Sequence, residues 1–136
     1  MTPRRARERF AAARVARLAT ADAGGRPHLV PVVFAVDGDR IFTVVDAKPK
    51  RTTLLRRLAN VTENPQVALL VDHYDDADWD ALWWVRADGR GRVLDPAQDE
   101  EARRAVELLR GRYPQQRAVG AVLAVDVERW SGWSAT

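Results

Sequence analysis

The sequence predicts a mainly β protein of one domain, in which about six short, mostly antiparallel strands with short helices between them curl into a small barrel. Three observations lead there. The apolar runs are short, β-branched and bounded by strong turn signals, above all residues 23–27 (AGGRP) and 37–39 (DGD). They follow one another as hairpin, helix, hairpin, helix, strand, which is not the strict alternation of a parallel βαβ sheet. A chain of 136 residues with 46% apolar content has room for one core, so residues 1–136 read as a single domain. An antiparallel sheet of this size is closed most simply by curling on itself.

In chain order, residues 5–13, rich in Ala, Arg and Glu, predict a short helix with a solvated charged face. Residues 15–20 predict the first strand and residues 28–36 a long second one, with Pro31 requiring an edge or a bulge because it has no N–H to donate. The Asp37-Gly38-Asp39 turn leads into a returning strand at residues 41–45. Thr52 can cap a helix that carries Leu54, Leu55 and Leu58 on one side, and Asn64-Pro65 restarts an extended chain for a strand at residues 67–72. After a polar excursion at residues 75–80, residues 81–94 read as a long strand broken near Asp88-Gly89 by a turn or a bulge. Asp95, Pro96 and Gln98 supply the cap, first-turn proline and capping-box partner of a helix running to about Arg110. Residues 119–127 form the last strand, followed by Trp130-Ser131-Gly132-Trp133.

Composition removes several function classes. Cysteine is absent, which excludes disulfides, thiolate metal sites and cysteine nucleophiles, so redox chemistry would need a bound cofactor. No stretch approaches the roughly 20 apolar residues of a membrane span, and the arginines at positions 4, 5, 7 and 9 are not followed by a signal-peptide apolar segment. A cytoplasmic protein without membrane association is expected. The formal charge of +3 is small and its charges are dispersed. Residues 4–17 are the one basic stretch that could serve nucleic acid, and no nucleic-acid partner is expected.

Side chains able to do chemistry unaided are few. The only serines, Ser131 and Ser134, lie near the C-terminal end, and the two histidines, His28 and His73, are fewer than the three protein ligands of a catalytic zinc site. Asp72, Asp75, Asp76, Asp78 and Asp80 lack the glycine and terminal glutamate of a calcium loop and read as a solvated acidic segment.

Two departures from ordinary usage stand out. Of 22 basic residues only Lys48 and Lys50 are lysine, on either side of Pro49 and followed by Arg51 and Thr52. Compact ammonium charges beside a guanidinium, between a strand and a helix N-terminus, suit a phosphate; a solvated loop explains the same residues. The five tryptophans, at positions 79, 83, 84, 130 and 133, all fall in the latter half of the chain. On a strand Trp83 and Trp84 point to opposite faces, so one needs a second surface: a dimer interface, a flat aromatic ligand or a partly exposed rim.

Taken together, RLATADAGGRPHLVPVVFAV (17–36), FTVVDAKPKRTTLLRRLANV (42–61), NPQVALLVDHY (64–74) and LWWVRADGRGRV (82–93) resemble the pyridoxamine 5′-phosphate oxidase-like split β-barrels of the FMN-binding type. Within them the chain most resembles an actinobacterial branch of F420-dependent enzymes. The resemblance implies a six-stranded antiparallel split barrel, a homodimer, and two cofactor sites at the subunit interface. It implies that coenzyme F420, or alternatively FMN, has its phosphates against Lys48, Lys50, Arg51 and Thr52, with Arg56 or Arg57 in support. Pro31, Val32 and Val33 would line the ring system, with Val44 and Val45 along the tail. Trp83 or Trp84, Arg86, and Trp130 to Trp133 would reach the site from the partner chain.

The residues VPVVFAV and ERWSGWSAT stand where the oxidases of the family carry a basic motif near FMN and an arginine and histidine segment for pyridoxal phosphate, so vitamin B6 oxidation is not expected. The activity implied is hydride transfer from reduced deazaflavin to a small unsaturated or carbonyl-containing substrate. A flavin carrier without turnover, and a regulatory module acting through the N-terminal arginines, are the readings from other classes.

Overall fold

The computed structural model describes residues 1–46, 52–116 and 119–136, the side chains of residues 46, 52–55 and 119 excepted. Three helices, α1 (Pro3–Ala12), α2 (Thr52–Glu63) and α3 (Glu100–Arg112), accompany seven strands. These are β1 (Ala16–Ala21), β2 (Pro27–Val32), β3 (Ala35–Asp37), β4 (Arg40–Asp46), β5 (Gln66–His73), β6 (Trp83–Leu94) and β7 (Val119–Ser134). All pairings are antiparallel, in the order β2-β1-β5-β6-β7-β4-β3. The two edge strands, β2 and β3, are consecutive in the chain and joined only through Val33 and Phe34. The sheet must therefore curl until its edges meet, which makes it a barrel.

The count of seven strands corrects the expected six. The run 28–36 does not continue as one strand: it breaks at Val33 and Phe34, where Phe34 turns wholly inward and the Val33 carbonyl accepts the Thr43 hydroxyl at 2.8 Å. Pro31 sits on edge strand β2, where a missing N–H costs no ladder bond. At the other end, β7 runs on through Trp130 and Trp133 to Ser134, because β6 offers it partners as far as Trp83. The break expected near Asp88-Gly89 is a bulge, a register shift within a strand that otherwise pairs throughout. A Cβ on Gly89 would lie 2.3 Å from the Asp126 carbonyl oxygen, so the two backbones can meet there only over glycine.

One further correction concerns α3. Asp95 does not cap it; its carboxylate accepts Ala97 N–H in a separate turn, and the cap is Asp99, whose Oδ1 accepts Glu101 N–H at 2.9 Å. Glu100 and Glu101 then occupy the first turn, where carboxylates complement the helix dipole.

Two cores result. Inside the barrel, alternate residues Val67, Leu69 and Val71 of β5 and Val85 and Ala87 of β6 meet Leu18, Ile41 and Val125. Helix α1, capped by Thr2 with Pro3 in its first turn, closes one end: Phe10 is fully buried with its ring 4.9 Å from Phe34 and 5.5 Å from Trp130. The second core lies outside the barrel, where Ala102, Ala105 and Leu109 of α3 cover Phe42, Val44, Val122 and Ala124. Residues 122–125 are buried on both faces for this reason. A cradle of charge pins α3 there: Arg92 donates to both oxygens of Glu101 and both of Asp126, and Arg40 donates to Glu101 at 2.7 Å.

Candidate functional site

Helix α3 covers one stretch of the outer sheet surface, including Arg92 and Leu94 of β6, whereas among the described residues no helix covers the outward positions of β2, β5, the N-terminal half of β6 and the C-terminal half of β7. Inward residues alternate with Leu29 and Pro31 on β2, Leu70 and Asp72 on β5, Trp84, Arg86 and Asp88 on β6, and Ser131 and Trp133 on β7. An antiparallel sheet facing water would place polar residues at these sites. Here Leu29 is 67%, Trp133 47% and Leu70 37% exposed. Register brings the large ones together, since Trp84 pairs with Trp133 on one side and Asp72 on the other, and Arg86 pairs with Leu70 and Ser131.

Where β5 ends and β6 begins, this face deepens into a groove of about 350 Å3, walled by Trp83, Trp84, Trp133, Tyr74, Leu70 and Leu82, with His73, Asp72 and Arg86 at its margin. The His73 and Trp83 rings stack at 6.0 Å and 22°, and the back of Trp83 takes the Arg9 guanidinium at 4.9 Å. Arg86 lies 5.8 Å from the Trp84 ring while donating to Asp88 at 2.9 Å. Flat walls with a few polar groups at one edge are the chemistry of a site for a planar conjugated molecule.

The residues expected at a site are distributed as follows. Lys48, Lys50 and Arg51 lie outside the described residues, and of Thr52 only its backbone place at the start of α2 is described. Arg56 is exposed one turn into α2, whereas Arg57 is only 8% exposed; burial pushes its guanidinium below its ordinary pKa, and its Nε has no partner. Pro31 is exposed on the bare face, Val32 is turned into the barrel and Val33 is half-buried at the strand break. Trp83, Trp84, Arg86 and Trp133 converge on the groove.

Two expectations are corrected by packing. Trp130 is not available to a neighbour: it is 8% exposed, packs on Phe10, and donates its indole N–H to Asp39 at 2.9 Å. That bond, with Arg7 behind it, holds Asp39 below the usual carboxylate range. Val44 and Val45 are buried too, and the Val44 side chain is taken up beneath α3. A bare tally of tryptophans conceals this division, but alternation from the register Ala87 to Trp130 and Trp84 to Trp133 exposes it. Leu70, Tyr74 and Leu82 were missed as groove residues; Leu70 alone carried a signal, as an apolar residue at an outward position of β5.

Comparison with known proteins follows the architecture. The model of the pyridoxamine 5′-phosphate oxidase family matches residues 2–134. No curated protein matches significantly. A conserved hypothetical protein of Mycobacterium tuberculosis is similar in structure with a TM-score of 0.76 at 19% identity, over 99% of this chain and 86% of the other. An FAD-binding protein of Mesorhizobium loti gives 0.72 at 22% identity, over 97% and 92%. HutZ, a heme storage protein of Vibrio cholerae, gives 0.71 at 18% identity, over 98% and 95%. At these identities the structures share the fold.

Proposed function

The chain belongs to the pyridoxamine 5′-phosphate oxidase-like family of flavin-binding split barrels, and from that premise we propose that it is an F420-dependent reductase, acting as a homodimer. The observation that carries this reading is the groove in which Trp84 and Trp133, on the outer sheet face left bare by α3, meet Trp83 at the start of β6. Its volume of about 350 Å3 falls within the roughly 300–1,000 Å3 of small-molecule sites, and its indole walls fit a fused conjugated ring. The neighbouring outward residues Leu29, Pro31 and Leu70 fit a second copy of the chain, which would give the ring a second wall.

Reduced F420 supplies a hydride, which suits an electron-poor double bond or carbonyl of a small substrate. The protein's own part is then position and dryness. Trp84 and Trp133 would cover one side of the ring, Arg86, held by Asp88, would supply positive charge beside it, and His73 and Tyr74 are the groove side chains able to pass a proton. The basic segment of Lys48, Lys50, Arg51 and Thr52, which in the sequence leads into α2, would supply the anchor for the cofactor phosphates. FMN would use the same ring walls and the same anchor.

The anchor is tested by replacing Lys48 and Lys50 with alanine. The proposal predicts a loss of F420 affinity of about tenfold or more with unchanged thermal unfolding. Unchanged affinity would remove these residues from the site.

A further inference from the structure

A second pocket, of about 340 Å3, lies between the β1–β2 turn and α2 and is lined by Asp22, Arg26, Pro27, His28, Arg56 and Asn60. Its chemistry is the reverse of the indole groove. Among the described residues neither Arg26 nor Arg56 forms an ion pair, although both are exposed and border the same space. The one carboxylate at the rim, Asp22, is oriented by the turn: its Oδ1 accepts Gly24 N–H and Arg26 N–H, each at 2.9 Å, and the two arginines outweigh its single negative charge.

Behind the arginines, polar atoms are buried without partners. Asn60 is 1% exposed; its Nδ2 donates to Thr20 Oγ1 at 3.1 Å, and this leaves Oδ1 as the unmatched end. His28 Nδ1 is likewise buried and unmatched. Each such atom is destabilising unless something satisfies it. Two guanidinium groups and an imidazole offer donors, and Asn60 Oδ1 asks for one in return. An oxyanion that carries a hydroxyl matches this set in kind, with negative charge for the arginines and a donor for Asn60, and hydrogen phosphate is the simplest.

The pocket is not the N-terminal anion site of α2. Arg56 and Asn60 are four and eight residues beyond Thr52, and eight residues advance about 12 Å along a helix. An anion held by the first N–H groups of α2 cannot also reach Asn60. We propose that the protein has a separate oxyanion site here, built from Arg26, His28, Arg56 and Asn60, for a phosphate or a hydroxyl-bearing acid group.

The sequence provides its own control, because His28 and His73 are the only histidines. Inorganic phosphate is titrated into 15N-labelled full-length protein, against chloride at equal ionic strength, while the ring nitrogens of both histidines are followed by NMR. The His28 signals are expected to move saturably and those of His73 to stay. In the Arg26→Gln/Arg56→Gln variant, whose altered side chains are exposed and whose fold the His73 signals report, phosphate affinity is expected to fall about tenfold or more. No saturable movement of His28, equal movement of both histidines, or an unaltered response in the variant would overturn the proposal. Adding F420 to the phosphate-loaded protein then separates the sources: displacement of phosphate assigns the site to a second acid group of that cofactor, and retention assigns it to a free anion or a substrate group, whereas displacement by FMN, whose one acid group is its phosphate, would overturn a site separate from the anchor. Phosphate binding is read without any flavin, so this site and the reductase reading fail independently.

Discussion

Replacing Glu101 with glutamine breaks the cradle that holds α3 over the sheet while preserving the shape of the side chain. Arg92 donates to Glu101 through Nη1 and Nη2, each at 3.0 Å, and Arg40 adds a third bond at 2.7 Å. The hydrogen bonds from Arg92, joined by that of Arg40 and opposed by desolvation, hold the Glu101 carboxyl down from the usual 4.5 to about 2. A depression of that size corresponds to roughly 3 kcal/mol, but Arg92 is 39% exposed, and solvent screening reduces the contribution to about 1–2 kcal/mol.

The sign follows from linkage. A carboxylate whose pKa is depressed by folding contributes its stability above the unfolded value of 4.5 and loses it as pH falls towards about 2. Glu101→Gln is therefore expected to lower the unfolding free energy by about 1–2 kcal/mol at neutral pH. The gap to wild type should close as pH is lowered through that window. Urea unfolding at fixed protein concentration measures both quantities. No gap at neutral pH, or a gap that does not change with pH, would refute the reasoning.

Phe10→Ala removes the plug at the end of the barrel and is expected to cost about 3–5 kcal/mol in the same assay, as befits a fully buried aromatic. Gly89→Ala drives a methyl group to 2.3 Å from a backbone oxygen that cannot rotate away, and a loss of about 3 kcal/mol should appear as a lower unfolding midpoint. Trp133→Ala removes an indole from the bare face; if the proposed homodimer forms through it, sedimentation velocity should show dissociation strengthened about 30-fold, the effect of losing a tryptophan anchor worth about 2 kcal/mol, and an unchanged association would remove Trp133 from the interface.

Much of the fold was legible because local chemistry and tertiary need agree in this chain. Gly38 takes the left-handed position between β3 and β4, with φ of 63°, as the Asp-Gly signal required. Pro31 announced an edge strand, and Asp88-Gly89 announced a bulge. Where reading failed, a distant partner decided. Nothing near Phe34 reveals that its ring must meet Phe10, which is what breaks residues 28–36 into two strands. Asp95 and Asp99 are equally good caps in isolation, and Glu101 must reach Arg92 and Arg40, which favours the later one.

The site divides in the same way. Trp83 and Trp84 were readable as a pair with opposite faces, since period-two alternation needs no tertiary knowledge. That Trp130 belongs to the inner core and Trp133 to the outer face depends on β7 extending along β6, and therefore on pairing across the sheet. The oxyanion pocket left no local pattern at all. Arg26 and His28 come from a hairpin and Arg56 and Asn60 from a helix, and only the closing of the barrel brings them to one space.

The central claim is that the bare indole face is the ring site of a deazaflavin reductase. It is tested most directly by titrating purified protein with F420 and FMN side by side, following the fluorescence of the cofactor and of the five tryptophans. Saturable binding of F420, tighter than that of FMN and weakened in Trp84→Ala, is expected. Saturation by neither cofactor, or F420 binding indifferent to Trp84, would contradict it.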